Sequence, residues 1–312
     1  MTATHALLLT GATGHIGSRL LPVLRRDYPG LTLRASAPDA PTASEDGIEW
    51  VRADFTDPAC DYEGLVQGMD DVWHLGAATQ ARAASMDEIN VAGTRELAAA
   101  AARAGVRRFL FTSTALAYGY RKREIVEDGQ PLEAAPWFPS RDIFTAYGRS
   151  KFEAERAIEQ LDRSTMQVMI LRLCVVSSRE RARASLASYS KAQRLAWAGR
   201  YWHILDADET AQDLSNLLNS EAWPAPGAIA YYNYSADAHR CLIGDIVGTL
   251  PPDGPSRQAG IAAALIVDRF RSWQRNGWHG RRRGFPNLVY DSSGLSGLGI
   301  RPQPARPDCA DD

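Results

Sequence analysis

The stretch of sequence that decides the fold reads Thr10-Gly11-Ala12-Thr13-Gly14-His15-Ile16-Gly17. It follows an apolar run at residues 6–9, which predicts a buried strand, and it leads into residues 18–24, which predict a helix. Its three glycines allow a strand to turn sharply into a helix and let a pyrophosphate approach the backbone. The N-terminus of the following helix offers unpaired N–H groups and a partial positive charge. The stretch therefore predicts a dinucleotide-binding turn.

Strand-like and helix-like segments alternate through the first half of the chain. Strands are predicted at residues 31–35, 48–54, 71–75, 108–113 and 167–173, and helices at 88–104 and 144–161. Such alternation indicates a parallel sheet with helices on both faces, with ligands beyond the carboxyl ends of the strands. We predict an α/β fold: a doubly wound Rossmann domain over residues 1–176, a small C-terminal substrate-binding lobe over 177–302 that interleaves with the last Rossmann elements, and a disordered tail at 303–312.

The pattern is weaker after residue 176. Residues 177–200 are polar and rich in arginine, which fits either a solvated helix or loop, or a substrate-covering segment whose arginines meet an anionic group. A short strand is predicted at 229–232, a mobile loop at 251–257 and a solvated basic run at 281–283. The apolar run at 259–267 is too short to span a bilayer.

Composition narrows the class of protein. The chain has 312 residues, of which 45% are hydrophobic and 23% charged, with a net charge of −2, so charge implies no nucleic-acid or membrane partner. The first strand begins at the N-terminus, and we expect no signal peptide. Histidines are scattered, and no metal site is predicted. The four cysteines lack metal-ligand spacing, which predicts reduced thiols in a cytoplasmic protein: Cys60, Cys174, Cys241 and Cys309.

Tyr147 and Lys151 lie four residues apart in a predicted helix, on one face of it. An ammonium beside a phenol stabilises the phenolate and lowers the tyrosine pKa from its usual value of about 10. The phenol can then exchange a proton with an alcohol or a carbonyl. A surface tyrosine with a nearby lysine would give the same spacing, but the glycine turn favours the catalytic interpretation.

The chain resembles the extended short-chain dehydrogenase/reductase family, in its NAD-dependent epimerase/dehydratase group. The resemblance rests on motifs that occur in the family's order: the turn at 10–17, Asp54-Phe55, the small residues at 74–78, the helix start at 90–94, the strand end at 111–119, Tyr147 with Lys151, and the closing segment at 290–302. Together they cover about residues 5–302.

The resemblance implies roles for individual residues. Thr114 would hydrogen-bond the reacting oxygen, Tyr147 would be the general acid/base, and Lys151 would bind the nicotinamide ribose and keep the phenol acidic. The implied NAD(P)-binding residues are Gly11, Thr13, Gly14, His15, Ile16, Gly17, Arg34, Ser36, Asp54, Phe55, Leu75, Gly76, Ala77, Asn90, Thr112, Tyr147, Lys151 and Val175. The substrate residues are Thr114, Tyr118, Ser177 and Arg179, and further aromatic or imidazole candidates for the cleft are Trp137, Phe138, Tyr189, Trp197, Trp202 and His203. The aromatic residues, Tyr118 included, fit core or rim positions as well, and His203 fits a structural role.

Departures from the family's pattern bear on the substrate. Ala115 and Leu116 stand where the sugar 4,6-dehydratases carry an Asp-Glu pair, which argues against elimination of water by that route. Many nucleotide-sugar members carry an asparagine near Cys174, and here none occurs. No acidic residue occurs at 34–37 to hold an adenosine 2′-hydroxyl, whereas Arg34 and Ser36 could accommodate a 2′-phosphate. Arg34 fits a surface position equally well, so the sequence leans only slightly to NADP. Gly294 replaces the closing lysine, with local effect.

These observations predict an NAD(P)-dependent oxidoreductase or epimerase of the short-chain dehydrogenase/reductase type, acting at a secondary alcohol or ketone of a sugar-like or other small molecule. The arginines of 179–194 would suit an anionic substrate. A nucleotide-diphosphate-sugar 4-epimerase, a ketoreductase and a catalytically silent cofactor sensor stay open as alternatives. By resemblance, helices 88–104 and 144–161 would pair two subunits into a homodimer.

Overall fold

A computed structural model describes residues 5–41, 47–79, 83–119, 125–126, 129, 131–132, 143–236, 241–251, 254–282 and 289–303. Its strands are β1 Ala6–Thr10, β2 Thr32–Ala37, β3 Ile48–Arg52, β4 Asp71–His74, β5 Arg108–Thr114, β6 Ile125–Val126, β7 Gln167–Leu173, β8 Val175–Val176, β9 Tyr201–Trp202, β10 Ile204–Leu205, β11 Ile229–Tyr234, β12 Cys241–Leu242 and β13 Val289–Tyr290. Its α-helices are α1 Gly17–Asp27, α2 Tyr62–Val66, α3 Ala83–Met86, α4 Thr94–Arg103, α5 Ile143–Glu159, α6 Arg179–Ala187, α7 Lys191–Trp197, α8 Ala207–Asn216, α9 Ile243–Ile246 and α10 Pro255–Arg282.

Seven of these strands form one sheet in the order β11-β7-β5-β4-β1-β2-β3. Every pairing in this sheet is parallel. The chain steps from β1 outward to β3, then crosses to β4 on the other side of β1 and continues outward. The predicted doubly wound Rossmann sheet is therefore confirmed. The reversal between β1 and β4 creates a crevice at the carboxyl ends of these strands, which is where ligands bind in such sheets.

The sheet is apolar on both faces because its strands alternate. In β1, Leu7 and Leu9 belong to one core, which also contains Leu20 and Leu24 of α1. Leu8 belongs to the core on the opposite face, where α4 and α5 pack against the sheet. Helices therefore cover both faces of the sheet, as a buried parallel sheet requires.

The glycine turn packs directly against the end of β4. A side chain on Gly11, whose φ is +69°, would place its Cβ 2.5 Å from the backbone nitrogen of Gly76. The backbone N–H of Leu75 donates to the carbonyl oxygen of Thr10 over 3.3 Å. A side chain on Gly17 would place its Cβ 2.3 Å from the carbonyl oxygen of Gly11. The turn therefore needs glycine because backbone meets backbone there.

The second half of the chain adds short pairings to this frame. β8 pairs with β10, β9 with β12 and β6 with β13. The predicted strand at 229–232 corresponds to the first four residues of β11, the strand at the edge of the main sheet. The arginine-rich segment forms α6 and α7. The predicted helix 88–104 is interrupted, because a π-helical turn at Asp87–Gly93 precedes α4.

Two sequence predictions at the C-terminal side need correction. The predicted loop at 251–257 extends too far, because the 28-residue helix α10 begins at Pro255. Proline suits this position, since it lacks an N–H that the first turn of a helix would leave unpaired anyway. The predicted disordered tail begins too early, because the carbonyl oxygen of Gln303 accepts a hydrogen bond from the backbone N–H of Asp206 over 3.0 Å. The rest of that tail and the side chains of the run 281–283 lie outside the described residues. Among the described helices, none has an apolar stretch of the length and hydropathy that a membrane crossing requires.

We expect Gly17→Ala to lower the free energy of unfolding. The new methyl group would also lie 2.8 Å from the Cα of Ala12, so backbone has to shift. Overpacking of this kind costs about 1–3 kcal/mol. Urea denaturation of Gly17→Ala and of Gly30→Ala would check this, since a Cβ on Gly30 meets nothing within 4 Å. Equal stability of the two variants would contradict the close packing described for the turn.

Candidate active site

A cavity of about 1040 Å³ opens at the carboxyl ends of the sheet, where the predicted ligand crevice lies. It extends from the glycine turn to the end of β5 and to the start of the C-terminal lobe. Most of the predicted cofactor and catalytic residues line it: Gly11, Thr13, Gly14, His15, Ile16, Gly17, Ser36, Asp54, Phe55, Leu75, Gly76, Ala77, Thr112, Thr114, Tyr147 and Val175. The fold therefore gathers residues from the ends of several strands around one cavity.

Arg34 does not line this cavity. Its Nε donates to Glu49 over 2.9 Å, and its Nη1 donates to the carbonyl oxygen of Leu65 over 2.9 Å and to that of Gln67 over 3.1 Å. These carbonyls belong to the C-terminal end of α2, where a helix leaves carbonyl groups unpaired and carries partial negative charge. The end of α2 therefore holds the guanidinium. The prediction that Arg34 lies beside an adenosine 2′-phosphate is corrected, because its side chain is outside the cavity lining.

Asn90 and Tyr118 also lie behind the cavity wall. Asn90 is fully buried, accepts from the backbone N–H of Ala78 over 2.8 Å and donates to Ser150 over 2.9 Å. The Tyr118 ring is buried, and its hydroxyl donates to Asn233 over 2.5 Å. Both side chains therefore support the wall, and neither lines the cavity as predicted.

Two of the predicted substrate residues, Ser177 and Arg179, come directly after β8. Ser177 is half-buried and its backbone N–H donates to Leu205 over 3.0 Å, outside the cavity lining. Arg179 begins α6, and its side chain lies outside the described residues.

Helix α5 carries Tyr147 and Lys151 up to the end of β5. Gly148 makes this approach possible, because a Cβ there would lie 2.5 Å from the carbonyl oxygen of Leu116. Thr114 ends β5, and its Oγ1 accepts from the backbone N–H of Leu116 over 3.3 Å. Thr114 and Tyr147 consequently line the same cavity, from two different elements.

Burial controls the two ionisable groups of this helix. Tyr147 is partly exposed to the cavity, and its removal from bulk water raises its pKa to about 12. Lys151 is 1% exposed, and burial lowers its pKa to about 7, although the Glu155 carboxylate acts in the opposite direction. Its Nζ lies 4.1 Å from the centroid of the Phe111 ring. Burial therefore raises the pKa of Tyr147, where the sequence predicted that Lys151 would lower it.

A buried network of polar groups lies beneath helix α5. Arg172 and Glu155 are each 1% exposed, and the Arg172 Nη2 donates to the Glu155 carboxylate over 2.8 Å. The same carboxylate accepts from the Ser113 hydroxyl. The Arg172 Nη1 donates to the Tyr118 hydroxyl over 2.8 Å. The network therefore joins α5, β5 and β7 directly below the cavity.

A second buried group lies beneath the glycine turn. The His74 Nδ1 is 2.7 Å from the Thr10 hydroxyl, and its Nε2 is 2.8 Å from the Thr94 hydroxyl. Burial, with a further contribution from Lys151, holds the pKa of His74 well below its usual value. This neutral imidazole therefore joins the ends of β1 and β4 to the start of α4.

The site fits a dinucleotide on the evidence of its own polar atoms. Within the described residues, two buried nitrogen atoms of predicted cofactor residues have no hydrogen-bond partner: the Nε2 of His15, which lines the cavity, and the Nζ of Lys151, which follows the lining residue Tyr147 by one helix turn and is not itself in the lining. A ribose and a pyrophosphate present the hydroxyl and phosphate oxygens that such donors need. The glycine turn presents no side chain at Gly11, Gly14 or Gly17, so a ligand can approach its backbone N–H groups closely. Within the same described residues, no group of histidine, cysteine or acidic side chains gathers as a metal site would require.

Residues after β7 form the remaining wall of the cavity, and most of them were not predicted from the sequence. Of the aromatic and imidazole candidates, Tyr189, Trp202 and His203 line the cavity. Trp197 packs edge-on against Tyr189 with 5.0 Å between ring centroids, and it is not among the lining residues; Trp137 and Phe138 lie outside the described residues. The unpredicted lining residues of this wall are Cys174, Val176, Ser185, Ser188, Arg200, Tyr201, Ile243 and Tyr290. The signals in the sequence for this wall are Tyr189, within the arginine-rich segment, and the run Arg200-Tyr201-Trp202-His203.

We expect burial of Lys151 to make stability depend on pH. The folded-state pKa of about 7 lies below the ordinary value of 10.5, so between these values the unfolded chain holds a proton that the folded chain lacks. The free energy of unfolding therefore rises with pH in this window, by up to about 1.4 kcal/mol per pH unit, and falls again as pH drops towards 7. Lys151→Met should lack this rise, whereas Lys191→Met, at an exposed site, should retain it. Parallel pH profiles for the wild type and Lys151→Met in denaturant titrations would contradict the buried amine.

Comparisons with known proteins agree with this geometry. The model of the NAD dependent epimerase/dehydratase family matches residues 7–196 of the chain. The UDP-glucose 4-epimerase of Vibrio cholerae is 31% identical over 185 residues, which cover 55% of this chain and 52% of that protein. The 4-hydroxy-2-methyl-3-oxo-4-farnesyl-3,4-dihydroquinoline-1-oxide ketoreductase of Stigmatella aurantiaca is 30% identical over 177 residues, covering 53% of this chain and 48% of that one.

The likeness extends further in structure than in sequence. The chain spans about half the length of the curated relatives it matches. The solved structure of MoeE5 in complex with UDP-glucuronic acid and NAD superposes with a TM-score of 0.63 at 18% identity, over 97% of this chain and 94% of that one, and at this identity it shows the fold. The family match covers more than half of the residues and includes the glycine turn, Thr114, Tyr147 and Lys151. The chain belongs to the NAD dependent epimerase/dehydratase family, as its motifs predicted.

Proposed function

We propose that this protein is an NAD(P)-dependent oxidoreductase or epimerase that acts at a secondary alcohol or ketone of a small, sugar-like molecule. The observation that carries this proposal is the convergence of Thr114 and Tyr147 on one cavity whose far end is the glycine turn. A hydroxyl, a phenol and a buried amine on the adjacent helix turn are the groups that proton transfer to a carbonyl oxygen needs. The family's epimerases and ketoreductases support it.

The described residues divide the work between them. With its pKa raised to about 12, the Tyr147 phenol holds its proton at neutral pH and can donate it to a carbonyl oxygen. The Thr114 hydroxyl, oriented at the end of β5, can hydrogen-bond the same oxygen. Lys151, one helix turn after Tyr147, would hold the nicotinamide ribose. A bound nicotinamide supplies the hydride exchange.

The substrate side of the cavity favours a polar small molecule with some aromatic contact. Ser185, Ser188 and Arg200 contribute hydroxyl and cationic groups, and Tyr201 and Trp202 contribute rings. An anionic substrate would suit Arg200. Ala115 and Leu116 line the cavity without a carboxylate, so we do not propose elimination of water. Net reduction, net oxidation and epimerisation share the same first proton and hydride transfer, and all three belong to the proposal.

Tyr147→Phe should lower turnover by about 100-fold or more while leaving cofactor affinity within about twofold, because it removes the transferable proton and little else. UDP-glucose is the probe for epimerisation, and a panel of small ketones with NADH or NADPH is the probe for reduction. Tyr28→Phe is the matched control, since the Tyr28 hydroxyl donates to the Ser215 carbonyl over 3.0 Å, away from the cavity. A wild type that binds cofactor and turns over nothing, with Tyr147→Phe indistinguishable, would favour the cofactor sensor.

The cofactor is proposed to be NAD, in place of the lean to NADP that Arg34 supported. Asp39 lies beside the cavity residue Pro38, and its carboxylate accepts from the Thr13 hydroxyl over 2.7 Å. A carboxylate at this edge would repel a 2′-phosphate and suits a 2′-hydroxyl. A cationic side chain also belongs to this edge of the cavity, because Arg52 of β3 is the sheet partner of Ala37, two residues before Asp39.

We expect the wild type to bind NAD⁺ more tightly than NADP⁺, and Asp39→Asn to reduce that preference by about fivefold or more, because it removes a charge near the 2′ position. Titration calorimetry with both cofactors would measure the ratio. Asp57→Asn is the control, as Asp57 accepts from the Ala59 N–H in an exposed turn. Tighter binding of NADP⁺ by the wild type would contradict the assignment and would indicate that Arg52 holds the phosphate.

The remaining predictions stay proposals. We propose a homodimer through α4 and α5, which pack side by side on one face of the sheet. The division at residue 176 is proposed as well, with β11 returning from the second half to the main sheet. The cytoplasmic location is still an expectation from the cysteine spacing.

A further inference from the structure

Three basic side chains meet where the C-terminal lobe reaches the glycine turn. His15 belongs to the turn, Arg19 to α1 and Arg181 to the first turn of α6. They line a second cavity of about 510 Å³, which shares Thr13, Gly14 and His15 with the active-site cavity. Arg181 therefore contacts the dinucleotide side of the molecule from the lobe, far along the sequence from the turn.

The contacts of His15 determine where its proton lies. The Arg181 Nη1 is 2.8 Å from the His15 Nδ1, and the Arg19 Nη1 is 3.2 Å from the same atom. A guanidinium can donate hydrogen bonds and cannot accept them, so Nδ1 is the acceptor. The neutral ring then carries its hydrogen on Nε2. Burial together with the two arginines lowers the pKa of His15, which favours this neutral form.

The Nε2 hydrogen has no acceptor in the described part of the protein. This nitrogen is buried, lies in a residue that lines both cavities, and has no partner among the described residues. A buried N–H without an acceptor is costly, so its position indicates that a ligand oxygen completes it. The ligand oxygen has to lie beside the turn, where the N-terminus of α1 favours an anion.

The two arginines differ in how their charge is compensated. Arg19 Nε lies 3.0 Å from the carboxylate of Asp208, so its charge is paired. Arg181 contacts the neutral imidazole and, among the described residues, no carboxylate. Its backbone is held at the start of α6, where the Arg181 N–H donates to the Ser178 hydroxyl over 3.1 Å. The lobe therefore presents an uncompensated cation to the turn from a fixed helix start.

We propose that Arg181 and His15 form a clamp through which the lobe binds the pyrophosphate of the dinucleotide. The His15 Nε2–H donates to a phosphate oxygen, and the Arg181 guanidinium compensates the phosphate charge. This inference rests on the dinucleotide binding in the proposed function and adds a contribution from the lobe. Charge-assisted hydrogen bonds of this kind are about twice as strong as neutral ones.

Binding of two fragments tests the clamp without turnover. ADP-ribose carries the pyrophosphate and lacks the nicotinamide, and adenosine lacks the pyrophosphate. Titration calorimetry would compare the wild type with Arg181→Gln, His15→Phe and the control Arg183→Gln, which removes an equal charge from the same helix. Arg183 donates its Nε to the carbonyl oxygen of Ile246, on the lobe side. Arg181 is exposed, so its replacement leaves the core intact, and thermal melting would verify this.

We expect Arg181→Gln and His15→Phe each to weaken ADP-ribose binding by about tenfold, with adenosine binding unchanged. The double variant should lose less than the product of the two single losses, since both groups act on one phosphate. Arg183→Gln should stay within about twofold of the wild type. Unchanged ADP-ribose affinity in Arg181→Gln, or an equal loss for adenosine, would overturn the clamp alone. A wild type that binds neither ADP-ribose nor NAD⁺ would overturn the proposed function together with it.

Discussion

The position of Tyr147 over the cavity depends on one ion pair that water cannot reach. Glu155 stands on α5 two turns after Tyr147, and Arg172 on β7 holds it. The guanidinium is also packed between the rings of Tyr118 and Tyr231, 4.9 Å and 4.8 Å from their centroids. Removing one partner of such a pair leaves a buried charge uncompensated, which costs about 3–5 kcal/mol. Helix α5 therefore cannot shift along the sheet without breaking the pair, and its orientation over the cavity follows.

The same network extends to the C-terminal lobe. The Asn233 amide accepts from the Tyr118 hydroxyl and donates to the carbonyl oxygen of Asp291 over 2.9 Å. Tyr290, next to Asp291, lines the cavity and packs against His203 with 5.2 Å between ring centroids. The wall on the substrate side and helix α5 are thus joined through one chain of buried hydrogen bonds. The glycine turn depends on a different constraint, the contact of its backbone with the end of β4, so the two ends of the cavity are built independently.

The sequence predicted the elements whose signals are local. The strands at 108–113 and 167–173 and the turn at 10–17 are short apolar runs or glycine spacings that need no distant partner, and they occur within a residue or so of where they were expected. Arg34, Asn90 and Tyr118 were misassigned because their partners come from α2, from the loop after β4 and from β11. A sequence motif indicates the strand end on which a residue lies, but it does not indicate which neighbouring residue its side chain will contact. The start of helix α10 was missed because the proline and polar residues of 251–257 indicate a loop, although a proline is well suited to the first turn of a helix.

The pKa of Lys151 has a consequence for the heat of binding. Because burial brings this pKa close to neutrality, the amine is only partly protonated at neutral pH. Any ligand that stabilises the ammonium form draws protons from solution as it binds, and the buffer supplies them. The observed enthalpy then includes the ionisation enthalpy of that buffer, and it differs between a phosphate and an amine buffer at the same pH. The amount of proton taken up reports how the ligand changes the electrostatics around one buried side chain.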